Sequence, residues 1–261
     1  MPELPEVERA RALIEARALG RRIAAVDDSD TYVCRPHQPG ELAGALVGAT
    51  LVRANRRGKT MWVDTEGDGP VLGLHLGMAG RIVVDGAAEG DPAKDDDATA
   101  PPLWDRFVIS FDDGGKLILR DKRRLGRAVL NPDLSGLGPD AAEVSRDAFR
   151  ERVGRGDAPL KARVMDQSVI AGVGNLLADE ALWRAGLSPR RAAGALSEEE
   201  LDRLRREIRA ATRAAIRKGG VHTGDVMPAR RRGGVCPRCG AEMERATIGG
   251  RTTYWCPAEQ V

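Results

Sequence analysis

The chain begins with MPELPEVERARALIEARALG (residues 1–20), a stretch that predicts a helix with a chemically unusual start. Pro5 suits the first turn of a helix and Gly20 suits its C-terminal cap, so we expect the helix over Pro5–Leu19. The apolar residues that recur at helical spacing are Val7, Ala10, Ile14 and Ala18. One face of this helix is therefore expected to be buried.

The second residue, Pro2, is a candidate nucleophile. Methionine is normally trimmed before a small residue, which would leave Pro2 with a secondary α-amine. The positive end of the helix dipole disfavours the protonated amine, and a free secondary amine that attacks a sugar aldehyde carbon gives an iminium, an electron sink. Glu3 is adjacent and can move protons. The alternative is an ordinary helix start with two prolines and acidic residues in its first turn.

The composition favours a folded, intracellular protein. The chain has 261 residues, enough for two domains, and its 42% hydrophobic and 31% charged residues are typical of globular proteins. It has no apolar run of membrane-spanning length and no signal-peptide core, so we expect no membrane partner and no secretion. The net charge is only +2, but arginines cluster locally, and such basic faces can bind phosphate.

The first half of the chain has the pattern of a β-rich domain. Residues 22–130 contain several strand-like segments, with a strong hairpin signal at Asp112–Gly115. The acidic stretch Glu89–Pro102 predicts a mobile loop. A break rich in proline and glycine, Asn131–Pro139, predicts the domain boundary.

The second half has a helical pattern. Ser197 and Glu200 are spaced as a capping box, and apolar residues follow at helical spacing until Gly219 and Gly220. These signals predict a long amphipathic helix that ends at the glycine pair.

Two further motifs suit phosphate binding. Lys59 enters a strand after a basic turn, where a lysine can reach a phosphate; the alternative is a solvated turn. The stretch GVGN (residues 172–175) precedes a helical run over Leu176–Ala185. Its glycines let the backbone approach a phosphate, and Asn175 is expected to cap the helix and to offer an amide donor. The alternative is an ordinary glycine-rich helix entry.

A C-terminal group of cysteines predicts a metal-supported ribbon. Cys236 and Cys239 are spaced as paired ligands, and Cys256 with Glu259 repeats that spacing after a gap of sixteen residues. Clustered cysteines in an intracellular protein favour a metal over disulfides, and a carboxylate can ligate zinc. We therefore expect one structural zinc ion, with Glu259 as an uncommon fourth ligand. The alternative is a ribbon held by aromatic packing, with three idle thiols.

Taken in order, these motifs resemble the Fpg/Nei family, the formamidopyrimidine-DNA and endonuclease VIII type glycosylases. The resemblance covers nearly the whole chain, and the opening MPELPEVE (residues 1–8) is its most specific part. HLGMAG (residues 75–80) and RRLG (residues 123–126) resemble the two loops that fill the gap left by an everted base. Residues 161–180 are similar to the family's helix–two-turn–helix, and the C-terminal end resembles its zinc finger.

The resemblance implies an α+β fold in three parts. An N-terminal catalytic β-sandwich domain with an N-terminal helix covers residues 1–131. A helical helix–two-turn–helix DNA-binding domain covers residues 140–220, and a zinc-ribbon-like hairpin covers residues 234–261.

The resemblance also implies roles for matching residues. Pro2 is the Schiff-base nucleophile and Glu3 is the acid–base on the sugar, with Lys59 beside them in the catalytic set. The DNA-binding set is Glu6, Met78, Arg123, Leu125, Lys161, Asn175 and Arg251. Within it, Met78, Arg123 and Leu125 fill the vacated stack and face the orphan base, and Asn175 and Arg251 join Lys59 in binding phosphates.

The implied function is base-excision repair. We expect a DNA glycosylase with AP lyase activity that removes oxidised or ring-opened bases from damaged double-stranded DNA. We also expect a monomer located in the bacterial cytoplasm and associated with the nucleoid. One alternative is a relative that binds damage without catalysis. Another is a general nucleic-acid binder that uses only the helix–two-turn–helix.

Three departures from the family pattern change these expectations. Glu259 replaces the fourth cysteine. The segment 219–235 is too short to hold most of the loop that covers 8-oxoguanine in Fpg-type enzymes, so we expect 8-oxoguanine to be a poor substrate. Leu125 and Leu177 stand where phenylalanine and tyrosine are usual, which weakens stacking and removes a phosphate donor.

Overall fold

The computed structural model describes residues 1–90 and 102–261, which form two compact units. The first unit comprises residues 1–2 and 6–134, and the second comprises residues 3–5 and 135–261. The division into 1–131, 140–220 and 234–261 remains a prediction.

The described residues form six helices and eleven strands, apart from short 3-10 turns. The helices are α1 (Leu4–Arg17), α2 (Glu41–Leu46), α3 (Arg146–Val153), α4 (Leu160–Met165), α5 (Asn175–Ala185) and α6 (Glu198–Lys218). The strands of the first unit are β1 (Ile23–Asp27), β2 (Leu51–Arg57), β3 (Thr60–Thr65), β4 (Leu72–His75), β5 (Arg81–Val84), β6 (Ala87–Gly90), β7 (Asp105–Phe111), β8 (Lys116–Arg120) and β9 (Arg127–Leu130). The ribbon strands are β10 (Glu244–Ile248) and β11 (Arg251–Trp255).

The first unit is a β-sandwich. One antiparallel sheet has the order β1-β7-β8-β5-β6 and the other has the order β2-β3-β4-β9. Along β3 the side chains alternate between half-buried and buried, the pattern of a strand with one face on the core. Ile14 of α1, Leu72 of one sheet and Phe107 of the other belong to the same buried cluster. The predicted sandwich with an N-terminal helix is confirmed.

The local signals in this unit are mostly confirmed. The N-terminal helix starts one residue before the predicted Pro5 and ends at Arg17, and Gly20 has a φ of 77°. β7 and β8 form the hairpin predicted around Asp112–Gly115. Of the stretch predicted to be a mobile loop, Glu89 and Gly90 belong to β6, whereas residues 91–101 lie outside the described residues.

The second unit is helical, with the ribbon at its C-terminal end. Its main core contains Phe149 of α3, Leu160 of α4, Leu182 of α5 and Leu204 of α6. The capping box at Ser197 is confirmed, and α6 ends at Gly219 as predicted. The apolar face of α6 packs into this core, and α5 packs against α6.

The ribbon is a two-stranded hairpin with a separate small core. β10 pairs with β11 across a turn at Gly249 and Gly250. Trp183 of α5 packs with Cys236 and Cys256 in this core. Among the helices of residues 1–90 and 102–261, none has both the length and the apolar character that a bilayer-spanning segment needs.

Candidate active site

The start of α5 is held by a carboxylate from the beginning of the chain. Glu3 is fully buried, and its carboxylate accepts hydrogen bonds from the backbone N–H groups of Gly174 (3.1 Å), Leu176 (2.8 Å) and Leu177 (3.0 Å). The N-cap residue, Gly174, has no side chain to do this. The free N–H groups and the helix dipole both favour an anion here, so the contact stabilises the helix and the charged carboxylate together.

The approach of Glu3 requires a glycine at position 174. A Cβ atom added at Gly174 would lie 2.3 Å from Cδ of Glu3, closer than any side chain tolerates. The backbone N–H of Leu4 also donates to the carbonyl oxygen of Gly172 at 3.2 Å. Gly172 and Gly174 were predicted to let a phosphate come close to the backbone. In the structure they let Glu3 and Leu4 come close to it.

Pro2 and Glu6 flank this contact along the chain. Pro2 is buried and precedes Glu3 directly, so its backbone position follows from that of Glu3. Glu6 is also buried, in the first turn of α1.

Asn175 does not cap α5, so that prediction is wrong. It is the first residue of the helix. The free N–H groups that a cap would bind already donate to the carboxylate of Glu3. Within the described residues, Oδ1 of Asn175 is buried and accepts no hydrogen bond.

Lys161 belongs to the predicted DNA-binding set, but in the structure its side chain is fully buried. Its Nζ lies 2.6 Å from Oδ1 of Asp179 and donates to Oγ1 of Thr253 at 2.8 Å. Nε of Arg230 donates to the other oxygen of Asp179 at 2.7 Å. Burial, the dominant cause, lowers the pKa of Lys161 in spite of Asp179. The network links α4, α5 and the ribbon, and it places no lysine charge at the surface.

Lys59 lies in the turn between β2 and β3, one residue before the strand that it was predicted to enter. Burial and then the positive charge of Lys59 lower the pKa of His75, which pairs with Thr60 across the sheet. The backbone N–H of Gly77 donates to Nδ1 of His75 at 3.0 Å. His75 is therefore neutral and shapes the loop that follows it.

The two loops predicted to fill the vacated stack lie at one end of the same sheet. β4 pairs with β9 antiparallel, so the loop after His75 and the loop before Arg127 are neighbours. Gly77 has a φ of 57°, and a Cβ atom there would lie 2.4 Å from the carbonyl of Leu125. Met78 and Leu125 are each 38% exposed, large values for apolar side chains, and Arg123 is also exposed. The structure thus places the two loops that carry the three predicted side chains next to each other.

Asp121 is a positioning residue that the sequence analysis missed. It is fully buried, and its carboxylate accepts from the backbone N–H groups of Arg123 (2.9 Å), Leu125 (2.7 Å) and Gly126 (2.7 Å). An aspartate that precedes a turn is a known local signal for such contacts. Asp121 fixes the backbone that carries Arg123 and Leu125.

The ribbon gathers three of the four predicted zinc ligands. The sulfur atoms of Cys236, Cys239 and Cys256 lie within 4.8 Å of one another, which fits thiolates around one zinc ion. No carboxylate of the described residues joins this group; Oε2 of Glu259 lies 3.9 Å from Nη1 of Arg238 instead. Arg251 is exposed at the start of β11.

Family models match almost the whole chain. Residues 1–128 match the formamidopyrimidine-DNA glycosylase N-terminal domain, and residues 136–225 match the formamidopyrimidine-DNA glycosylase H2TH domain. Residues 233–258 match the zinc finger found in FPG and IleRS. That match and the three-sulfur cluster support one structural zinc ion.

Curated relatives and solved structures agree with these matches. A formamidopyrimidine-DNA glycosylase of Paracoccus denitrificans is 34% identical, covering 98% of this chain and 99% of the relative. One of Arabidopsis thaliana is 32% identical over 100% of this chain and 71% of the relative. Lactococcus lactis Fpg bound to abasic-site DNA is 28% identical with a TM-score of 0.82, covering 99% of both chains. The MutM (Fpg) protein of Thermus thermophilus is 32% identical with a TM-score of 0.80, covering 99% of this chain and 98% of that one. The chain therefore belongs to the formamidopyrimidine-DNA glycosylase family.

Proposed function

We propose that this base-excision-repair DNA glycosylase attacks damaged nucleotides with the α-amine of Pro2 after Met1 is removed. The amine adds to C1′ of the sugar and gives up its proton, while the bond to the damaged base breaks and the base leaves with its electron pair and takes up a proton. The C1′–O4′ bond then opens, O4′ takes up a proton, and the nitrogen lone pair forms an iminium at C1′. The resulting iminium acidifies the proton at C2′. Loss of that proton expels the 3′ phosphate and cleaves the strand, which is the AP lyase step.

The observation that carries this proposal is the fixed carboxylate of Glu3. Three backbone N–H groups at the start of α5 orient it, one residue from the proposed nucleophile. A positioned carboxylate is the group that proton transfer to and from the sugar needs. We assign this acid–base role to Glu3 and a supporting role to Glu6.

We assign DNA contacts to the remaining predicted residues according to their surroundings. Lys59, Asn175 and Arg251 bind phosphates around the lesion; each offers an N–H donor, and Asn175 does so from the first residue of α5. Met78, Arg123 and Leu125 fill the vacated stack, as their exposure supports. Because Lys161 is buried, we propose that it positions α5 and the ribbon and that it does not contact DNA directly.

Borohydride trapping tests the nucleophile. The protein, confirmed by mass to lack Met1, is incubated with a duplex that contains an abasic site and then reduced. We expect a covalent adduct on the peptide that begins at Pro2. A matched control carries an N-terminal extension, which converts the Pro2 nitrogen to an amide while every side chain stays in place; it should give no adduct.

Two outcomes would overturn the proposal. An adduct on a lysine would assign the nucleophile elsewhere. Tight binding to abasic DNA without any adduct would identify a damage-binding relative that does not catalyse excision.

We propose that ring-opened purines and oxidised pyrimidines are better substrates than 8-oxoguanine. The segment 219–235 is held against α5, because the carboxylate of Glu180 accepts from the backbone N–H groups of Asp225 (3.1 Å) and Val226 (3.0 Å). The side chain of Arg230 is also held, because its Nε donates to Oδ2 of Asp179 at 2.7 Å. Little chain is left to cover a flipped base. A single-turnover panel of lesions checks this, and 8-oxoguanine as the fastest substrate would contradict it.

We also propose that the enzyme acts as a monomer in the cytoplasm, associated with the nucleoid, since all the assigned residues lie in one chain. Zinc, when bound, supplies a cross-link that stabilises the ribbon and so supports Arg251. Light scattering of the free protein and of its DNA complex measures the oligomeric state.

A further inference from the structure

The metal site in the ribbon has three protein ligands at the spacing of a four-ligand site. Cys239 and Cys256 approach to 3.4 Å between sulfur atoms, and Trp183 donates its indole N–H to the sulfur of Cys236 at 3.4 Å. These contacts gather the three sulfur atoms within 4.8 Å of one another, so the thiolates would supply three of the four ligands that a structural zinc ion takes.

Glu259 occupies the chain position of a fourth ligand but lies outside the cluster. It follows Cys256 by the same interval that separates Cys239 from Cys236. A glutamate oxygen lies two bonds further from Cβ than a cysteine sulfur does. A backbone placed for a thiolate would therefore carry a carboxylate too far to replace that thiolate as a ligand.

A fixed arginine offers this carboxylate another partner. Nη1 of Arg238 donates to the carbonyl oxygen of Trp183 at 2.9 Å, and its guanidinium lies 3.9 Å from the Trp183 ring centroid. Oε2 of Glu259 lies 3.9 Å from that same Nη1. Charge favours this arrangement, because three thiolates already give a zinc centre a net charge of −1 and a carboxylate ligand would add another negative charge.

The ribbon end is also held without a fourth cysteine. Gln260 is buried; its Oε1 accepts from the backbone N–H of Cys256 at 2.9 Å, and its Nε2 donates to the carbonyl oxygen of Leu187 at 2.9 Å. The loop around Cys256 therefore keeps its shape whether or not residue 259 binds a metal.

From these contacts we infer that the zinc ion is bound by Cys236, Cys239 and Cys256 alone, and that its fourth position is open to solvent. This open position is a binding site for a small exogenous ligand such as a thiol, with water as its resting occupant. The inference concerns the ribbon and does not depend on the chemistry of Pro2.

Cobalt substitution of the full-length protein tests this site, because the visible bands of Co²⁺ respond to each ligand. We expect the wild-type spectrum of a three-thiolate centre, with bands that shift when 2-mercaptoethanol is added. Glu259→Gln should leave the spectrum, the thiol response and the zinc affinity unchanged to within threefold. Glu259→Cys should give a four-thiolate spectrum without a thiol response and raise zinc affinity at least tenfold.

Several results would overturn the inference. A cobalt spectrum altered by Glu259→Gln, or a zinc affinity lowered tenfold by it, would make Glu259 a ligand. A wild-type spectrum that ignores 2-mercaptoethanol would show a closed site. Because the wild-type protein and Glu259→Gln together separate these cases, the test stands even if Glu259→Cys fails to fold.

Discussion

The two central helices of the second unit begin in opposite ways. At the start of α6, the side chain of Ser197 accepts from the N–H of Glu200 at 3.3 Å, and Glu200 accepts from the N–H of Ser197 at 2.8 Å. At the start of α5, the cap comes from Glu3, which is 171 residues away from Gly174. A local cap stabilises only its own helix. A remote cap also fixes a distant piece of chain, here the residue next to the proposed nucleophile.

The largest effect should follow from removing the remote cap. Glu3→Gln leaves one carbonyl oxygen for three N–H donors and turns an amide N–H₂ group toward the rest. We expect base excision to fall about 10²–10⁴-fold, the range for a lost acid–base, and the free energy of unfolding to fall by about 1–2 kcal/mol. Single-turnover kinetics and urea unfolding measure the two effects.

A matched control for this change is Glu199→Gln, which alters an exposed glutamate in the first turn of α6. This change should leave the rate of base excision and the free energy of unfolding close to their wild-type values. If Glu3→Gln excised bases at the wild-type rate, Glu3 would be only a helix cap.

The difference between the two helices also explains what the sequence could predict. The limits of α6 and the β7–β8 hairpin follow from residues close together in the chain, so their signals are local and both predictions are confirmed. The cap of α5 is assigned wrongly, to Asn175, because local reasoning considers only nearby side chains. No spacing rule connects residue 3 to residue 174.

Lys161 and Asp121 are two further residues whose surroundings the sequence analysis did not predict. A lysine is most often exposed, so a surface role is the natural expectation; its burial arises from packing among α4, α5 and the ribbon. Asp121 had a usable local signal, since its contacts reach only two to five residues along the chain. Local chemistry already suggested Pro2, Glu3 and Lys59, and the resemblance made their roles specific. The remote contacts of Glu3 and Lys161 became visible only in the structure.

The second prediction compares a buried ion pair on α5 with a surface pair on α6. Asp179→Asn removes the charge that faces the fully buried Lys161, which leaves a cation without its partner. We expect a loss of about 3–5 kcal/mol in the free energy of unfolding. Asp202→Asn on α6 removes one of the two carboxylate partners of Arg150, at a site nearer the surface, and should lower the free energy of unfolding far less. Equal losses in urea unfolding would contradict the distinction.

The third prediction concerns the space that the remote cap needs. Gly174→Ala places a methyl group where Cδ of Glu3 lies 2.3 Å away, so the carboxylate has to move. We expect a loss of about 1–3 kcal/mol, together with slower excision. Gly136→Ala is the control, because a Cβ atom there meets no atom within 4 Å. Wild-type kinetics for Gly174→Ala would mean that the position of Glu3 is not critical.

The smallest effect should follow from removing the local cap. Ser197→Ala deletes one acceptor at the start of α6 and should lower the free energy of unfolding by about 1 kcal/mol. Ser145→Ala deletes the equivalent acceptor at the start of α3 and should cost a similar amount. Neither change should slow base excision once the protein is folded, because neither cap holds residues outside its own helix. A rate loss in Ser197→Ala close to that of Glu3→Gln would show that α6 transmits strain to the N-terminal segment, and the contrast between local and remote caps would then fail.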